Sequence, residues 1–233
     1  MKFDPSLIVF EDHEFLAINK TPGWVVQGAQ SEAESLLSAI RKFFKERNPD
    51  SHELLFPLHR LDRNVSGIVV FAKTKNSAKK FSEAIQRGGL KKTYLAITWG
   101  TCSKSGKFED YLLKSHFKSF VRDSSNPEAK KSTLTYECLE TYPKTQTLPL
   151  GASLVKISLQ TGRYHQIRVQ FSSRGFPLFG DKKYAPKKVK DLFQRPALHA
   201  FELEMEGFIF KAPLPEDLKN LTNALKKGTF SPK

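Results

Sequence analysis

One carboxylate, Asp62, stands among bases in His59-Arg60-Leu61-Asp62-Arg63-Asn64, directly ahead of the apolar run 68–72. The ordinary role of such an aspartate is to neutralise Arg60 or Arg63 at the surface, an arrangement worth little. Its position argues for more. It lies between an extended Leu-Phe-Pro-Leu-His-Arg segment and a strand that reads as buried, where a reacting group is braced by rigid elements. A second stretch is Thr161-Gly162-Arg163-Tyr164-His165-Gln166-Ile167-Arg168. With residues 164–171 on a helix, Tyr164, Ile167, Arg168 and Phe171 share one arc of about 100°, so Arg168 points with the apolar face. A buried guanidinium needs an acceptor, ideally a carboxylate held bidentate; otherwise the charge snorkels to water. Asp62 is the expected partner, and the pairing would keep it ionised and oriented. The third candidate is Tyr94 in Lys-Lys-Thr-Tyr-Leu-Ala-Ile-Thr-Trp-Gly. Strand alternation puts it beside the small Ala96 and Thr98, with Leu95, Ile97 and Trp99 on the other face.

Several familiar chemistries do not fit these residues. The His-Arg-Leu-Asp order is not the kinase His-Arg-Asp-Leu, and neither a Gly-rich phosphate loop nor Asp-Phe-Gly occurs. His59, Asp62 and Ser66 lie too close in sequence for a hydrolase triad, and no Gly-x-Ser-x-Gly elbow exists. His59, His165 and His199 have no neighbouring ligand at metal spacing. No metal and no cofactor are expected.

The elements that must position these groups can be read from periodicity. Residues 6–20 read as two short strands around an Asp12-His13-Glu14 turn. Residues 31–48 read as a helix with a Ser31/Glu34 capping box and an apolar stripe of Leu36, Leu37, Ile40, Phe43 and Phe44. The run 67–73 is apolar on both faces and should be a central strand. Residues 76–89 form a second helix, stopped by Gly88-Gly89. Strand-type segments follow at 92–100, 107–112, 132–141 and 153–160, then a short helix at 163–175, a strand pair at 197–205 and 208–213 and a final helix from about Pro215. Strands outnumber helices, so the fold class is α+β with a large, mixed but mainly antiparallel sheet and flanking helices.

Composition points to a polyanionic partner. The 233 residues carry 38 Lys+Arg against 24 Asp+Glu, a net of +14 spread over many basic pairs. A folded domain with that surplus suits nucleic acid. Two cysteines fit a reducing compartment. The acidic N-terminal stretch is not a signal peptide, and no run approaches the roughly 20 apolar residues of a membrane helix. A cytoplasmic protein with no membrane partner is expected.

Three segments, 59–74, 91–100 and 159–185, together resemble the RluA-type pseudouridine synthases. Residues 9–26 resemble that family's opening strand pair and residues 195–205 its closing segment. The likeness covers about residues 6–212, in order, and its His-Arg-Leu-Asp and Thr-Gly-Arg-x-His-Gln-Ile-Arg strings are long and specific. The resemblance implies the pseudouridine synthase fold, with a central cleft in the sheet. It also implies isomerisation of uridine within ribosomal or transfer RNA: the N1–C1′ bond breaks, the base turns and C5 is joined to C1′. Asp62 is then the nucleophile or base, Arg168 its ion-pair partner and Tyr94 the residue stacked on the target base, while Arg60 occupies the space the base vacates. His59, Arg63, Arg163, His165, Gln166 and Leu198 are expected to bind the RNA. The target must leave its stack before a side chain can reach it, and a basic surface with stacking aromatics offsets that cost. The alternative is an RNA-binding module or RNA chaperone of the same fold without catalysis.

The sequence departs from the family's pattern at four places. Val65 stands where threonine is usual and Gln170 where histidine is usual; Asn-Lys-Thr-Pro-Gly shifts a proline, and Pro196 replaces an apolar residue. Many relatives carry an N-terminal RNA-binding domain of about 60 residues. With the first strand near residue 6, a single catalytic domain over 1–233 is expected here. It is expected to be monomeric, gripping RNA through basic loops around 73–80 and 182–190.

Overall fold

The structure, a computed structural model, describes residues 2–28, 35–49 and 54–231. The strands are β1 (Ile8–Glu11), β2 (Phe15–Lys20), β3 (Phe56–Pro57), β4 (Ser66–Ala72), β5 (Leu90–Trp99), β6 (Ser105–Ser115), β7 (Lys118–Arg122), β8 (Lys130–Tyr142), β9 (Ala152–Leu159), β10 (Leu198–Met205) and β11 (Phe208–Lys211). The helices are α1 (Leu36–Arg47), α2 (Lys75–Gln86), α3 (Gln166–Ser173), α4 (Lys187–Lys190) and α5 (Glu216–Lys226). The class is α+β with mainly antiparallel sheet, as expected. The chain forms two compact units: Met1–Lys91 with Ala200–Pro213, and Lys92–His199 with Leu214–Lys233.

In the first unit the strand order is β1-β2-β4-β10, with β3 on β4 and β11 on β10. β2 and β4 pair antiparallel from Phe15↔Ala72 to Lys20↔Gly67. Every residue of β4 is buried, which is what a run apolar on both faces requires. Gly67 (φ +118°) permits close approach: a Cβ there would lie 2.2 Å from the Ala200 carbonyl oxygen. Much of the phenylalanine content packs here. Phe15 meets Phe208 at 5.0 Å and Phe10 meets Phe210 at 5.2 Å, edge to face.

α1 begins later than the periodicity suggests. Ser35 is its N-cap, and its side chain and that of Ser38 cap each other's backbone N–H. The anticipated Ser31/Glu34 box lies outside the described residues. Thr74 and Ser77 cap α2 in the same way.

The second unit orders its strands β5-β9-β8-β6-β7. Its register sets which side chains share a face. Tyr94 lies opposite Ile157, which lies opposite Tyr136. Lys92 lies opposite Leu159, then Leu134, then Phe108. α3 covers this face, its Phe171 packing on Phe108 at 5.0 Å and on Tyr136 at 5.5 Å. Ile97 and Trp99 face the opposite way, into a core with Phe179 and with Leu218, Leu221 and Leu225 of α5. Sequence reading placed β5, β6, β8 and β9 correctly and passed over β7, β3 and α4. Among the described residues no helix is long and apolar enough to cross a membrane.

Candidate active site

In the first unit the Asp62 loop is tied at both ends. Before it, the Leu58 N–H donates to Val70 O (3.0 Å) and His59 Nε2 accepts the Val70 N–H (3.2 Å). The His59 ring also stacks along Phe81 at 6.5 Å. This nitrogen of His59, expected to touch RNA, therefore serves the backbone of β4, which puts the ring proton of neutral His59 on Nδ1. After it, the Val65 N–H closes a turn on the Asp62 carbonyl (3.1 Å). Val65, where a hydroxyl is usual, is buried.

Arg63 joins this loop to Asn-Lys-Thr-Pro-Gly. Its Nε donates to Gly23 O (2.9 Å) and its own carbonyl accepts from Gly23 N (2.8 Å) and Lys20 Nζ (3.1 Å). Lys20 is fully buried and also donates to Thr21 O and Trp24 O. The motif reading missed Lys20 as the brace beneath the candidate aspartate. Asp62 is half-buried, and Arg60 and Arg63 are exposed.

In the second unit Arg168 is buried, as its helical position suggested. The helix is shorter than expected, however: α3 starts at Gln166, after His165 in the left-handed region (φ 55°). Tyr164 therefore lies outside the helical arc, and residues 166–171 are all buried rather than forming a stripe. The carboxylate gripping Arg168 bidentately is Asp181, with Nε to Oδ2 at 2.8 Å and Nη2 to Oδ1 at 2.7 Å. Sequence reading overlooked Asp181. Asp181, like Asp62, is a lone acid beside an apolar run, but nothing in the sequence ties it to Arg168. The guanidinium also lies 5.3 Å from the centre of the Tyr184 ring.

Tyr184 organises the neighbouring loop. Its hydroxyl accepts the Ser119 N–H (2.7 Å) and meets His165 Nδ1 (2.8 Å). Burial pushes the phenol up to about 12, so it keeps its proton at neutral pH. The His165 ring stacks on Tyr164 at 3.8 Å.

Gln166, also expected at RNA, is absorbed by the protein. Its Oε1 accepts from Thr161 Oγ1 (2.8 Å) and Arg163 N (3.0 Å), and its Nε2 donates to Thr133 O (3.1 Å). Arg163 is exposed with Nε on Lys131 O (3.2 Å). Gln170 donates to Asp110 (2.6 Å), which Arg174 holds bidentately. Tyr94 is buried on the face that α3 covers. Leu198 is buried, its carbonyl accepting from Arg195 Nη1 (3.2 Å), and Asp217 of α5 holds that arginine through Nε and Nη2. Arg195 also donates to Pro196 O (3.1 Å), so the unusual proline sits inside a braced turn.

Comparison with known proteins bears on what this arrangement does. The family model described as RNA pseudouridylate synthase matches residues 14–173. Similar curated proteins include the ribosomal large subunit pseudouridine synthase D of Yersinia pestis, 32% identical over 97% of this chain and 72% of that protein. The dual-specificity RNA pseudouridine synthase RluA of Pasteurella multocida is also 32% identical, over 92% of this chain and 91% of its own length. Among solved structures, human RNA pseudouridylate synthase domain containing 4 shares the fold with a TM-score of 0.77 at 22% identity, covering 94% of this chain and 92% of that one.

Proposed function

The chain belongs to the RNA pseudouridylate synthase family, a family of isomerases, and from that premise we propose that it converts uridine to pseudouridine within structured RNA, with Asp62 as the reacting carboxylate. The observation that carries this reading is the Asp62 loop. It lies inside the family match and is braced by Lys20, Arg63 and the backbone of β4. The reaction is balanced within the substrate: N1–C1′ breaks, C5–C1′ forms, C5 loses its proton and N1 gains one. No external oxidant, reductant or leaving group is required.

Attack at C1′, attack at C6 and removal of the 2′ proton all need Asp62 ionised. We assign Arg168 as its ion-pair partner. Tyr94 is the residue assigned to stack on the flipped base. These three assignments rest on the motifs and the family match, and so does the reading of the whole chain as one catalytic domain. Ribosomal RNA is the first substrate to try, because relatives such as the Yersinia pestis protein are named for it; transfer RNA is the second. The scattered surplus of positive charge suits either.

The test is release of tritium from RNA labelled at C5 of uridine. Wild-type protein releases it from ribosomal or transfer RNA, and Asp62→Asn lowers the rate by at least ~10³-fold while leaving RNA affinity within a factor of about 3. Full activity in Asp62→Asn would remove the aspartate from the mechanism.

A further inference from the structure

Two adjacent lysines at the start of β5 have different surroundings. Lys91 is exposed and pairs with Glu204 at 2.7 Å. Lys92 points to the opposite face, the one that carries Tyr94, and is half-buried. Burial alone pushes its amine below the usual lysine value. Among the described residues the Lys92 ammonium makes no hydrogen bond and no ion pair. That is a costly way to keep a lysine, because a desolvated cation without an acceptor destabilises the fold.

What lies over the amine is the Thr-Gly-Arg loop. β9 ends at Leu159, directly opposite Lys92, and the chain continues through Gln160 and Thr161 to Gly162. A Cβ built on Gly162 would sit 3.0 Å from Lys92 Nζ. The glycine thus gives the amine its room beside backbone, two residues along the strand from Tyr94. The polar side chains of this loop have other partners: Thr161 Oγ1 donates to Gln166, and Arg163 Nε donates to Lys131 O. None of them satisfies Lys92.

We propose that Lys92 is an anion site, its ammonium taking a backbone phosphate of the substrate RNA beside the Thr-Gly-Arg loop. This rests on the reading above that RNA is the substrate. A compact ammonium suits a phosphate oxygen as a point charge, and a lysine left unsatisfied by its own protein is one whose partner arrives with the ligand.

The test pairs stability with affinity. Lys92→Met keeps the length of the side chain and removes the charge. A lysine kept for binding is a burden to the free protein. The variant's denaturation midpoint should therefore equal or exceed that of the wild type. Its affinity for a labelled uridine-containing stem-loop should fall about 10- to 100-fold. The slope of log affinity against log salt, taken between about 50 and 200 mM, should shrink by about 0.7 to 0.9. KM should rise with kcat at saturating RNA kept within a factor of about 2, and Lys92→Arg should recover most of the affinity. A methionine variant that is less stable and binds with an unchanged salt slope would make Lys92 a structural residue and overturn the proposal. Binding is read apart from turnover, so the two readings fail separately. Lost affinity in Lys92→Met supports the phosphate site even if wild-type protein releases no tritium. A wild type that turns over RNA, with Lys92→Met binding equally well, sinks the phosphate site alone.

Discussion

Asp181 receives four hydrogen bonds, two from Arg168 and two from the backbone of Lys183 and Tyr184. Both partners of the ion pair are buried. Removing one charge from such a pair leaves the other unpaired away from water. Asp181→Asn should therefore cost about 3 kcal/mol of folding stability, read as a lowered midpoint in urea, and should lower tritium release through a displaced Arg168. An asparagine variant as stable as wild type would show that Arg168 is held by other groups. The roles proposed for Asp62, Tyr94 and Arg168 were drawn from the sequence because each sits in a long motif with a defined neighbourhood. Asp181 and Lys20 were not, because what marks them is a partner. Asp181 lies 13 residues from Arg168, and Lys20 lies 43 from the carbonyl it braces. His59 and Gln166 show the converse. Their motif is legible, but only the fold shows that His59 Nε2 accepts from β4 and that the Gln166 amide bonds to Thr161, Arg163 and β8.

The elements were more legible than their ends. β4 announced itself by apolar residues on both faces, and the alternation in β5 survives in its register with β9. α3 misled because helical periodicity was run back through Tyr164. His165 adopts the left-handed conformation there, and the helix begins only after it. β7 was passed over because Lys-Ser-Phe-Val-Arg is short and exposed at alternate positions, a pattern shared with many loops. The least forgiving element is β4. Gly67 combines a positive φ with a neighbouring backbone oxygen 2.2 Å from where a Cβ would stand, and that oxygen belongs to a strand rather than to a flexible side chain. Gly67→Ala should destabilise by more than about 3 kcal/mol and loosen the Asp62 loop at the start of the strand. Hydrogen exchange at Val69 and Val70 reads this directly, as protection lost relative to wild type; unchanged protection would mean that the strand absorbs the methyl.

At the scale of the molecule, the surplus of +14 matters only through the charges left available to phosphate. Three of the four lysines at residues 73–80, first expected to grip RNA, are engaged by carboxylates: Lys73 by Glu11 at 2.9 Å and Lys80 by Glu14 at 2.6 Å, with Lys79 at 3.9 Å from Glu83. The segment is also mostly helix α2 rather than loop. Lys118 on β7 and Lys130 on β8 contrast with them, exposed and without an ion pair among the described residues. Lys118 adjoins Phe117, which is 76% exposed in the turn joining β6 to β7. A base stacked on an aromatic ring and a phosphate on a nearby lysine are the usual parts of a grip on single strands. Counterion release gives the quantitative consequence. A footprint of six or more phosphates loses about 10³-fold in affinity between 50 and 200 mM salt, and each lysine removed from it lowers the slope by about 0.7 to 0.9. Lys118→Ala and Lys130→Ala should each flatten the salt dependence of RNA binding by that amount without changing the denaturation midpoint, whereas Lys80→Ala should leave the slope unchanged. If Lys80→Ala flattens it as much as Lys118→Ala does, the ion pairs of the first unit open on RNA and the grip extends over both sets of lysines.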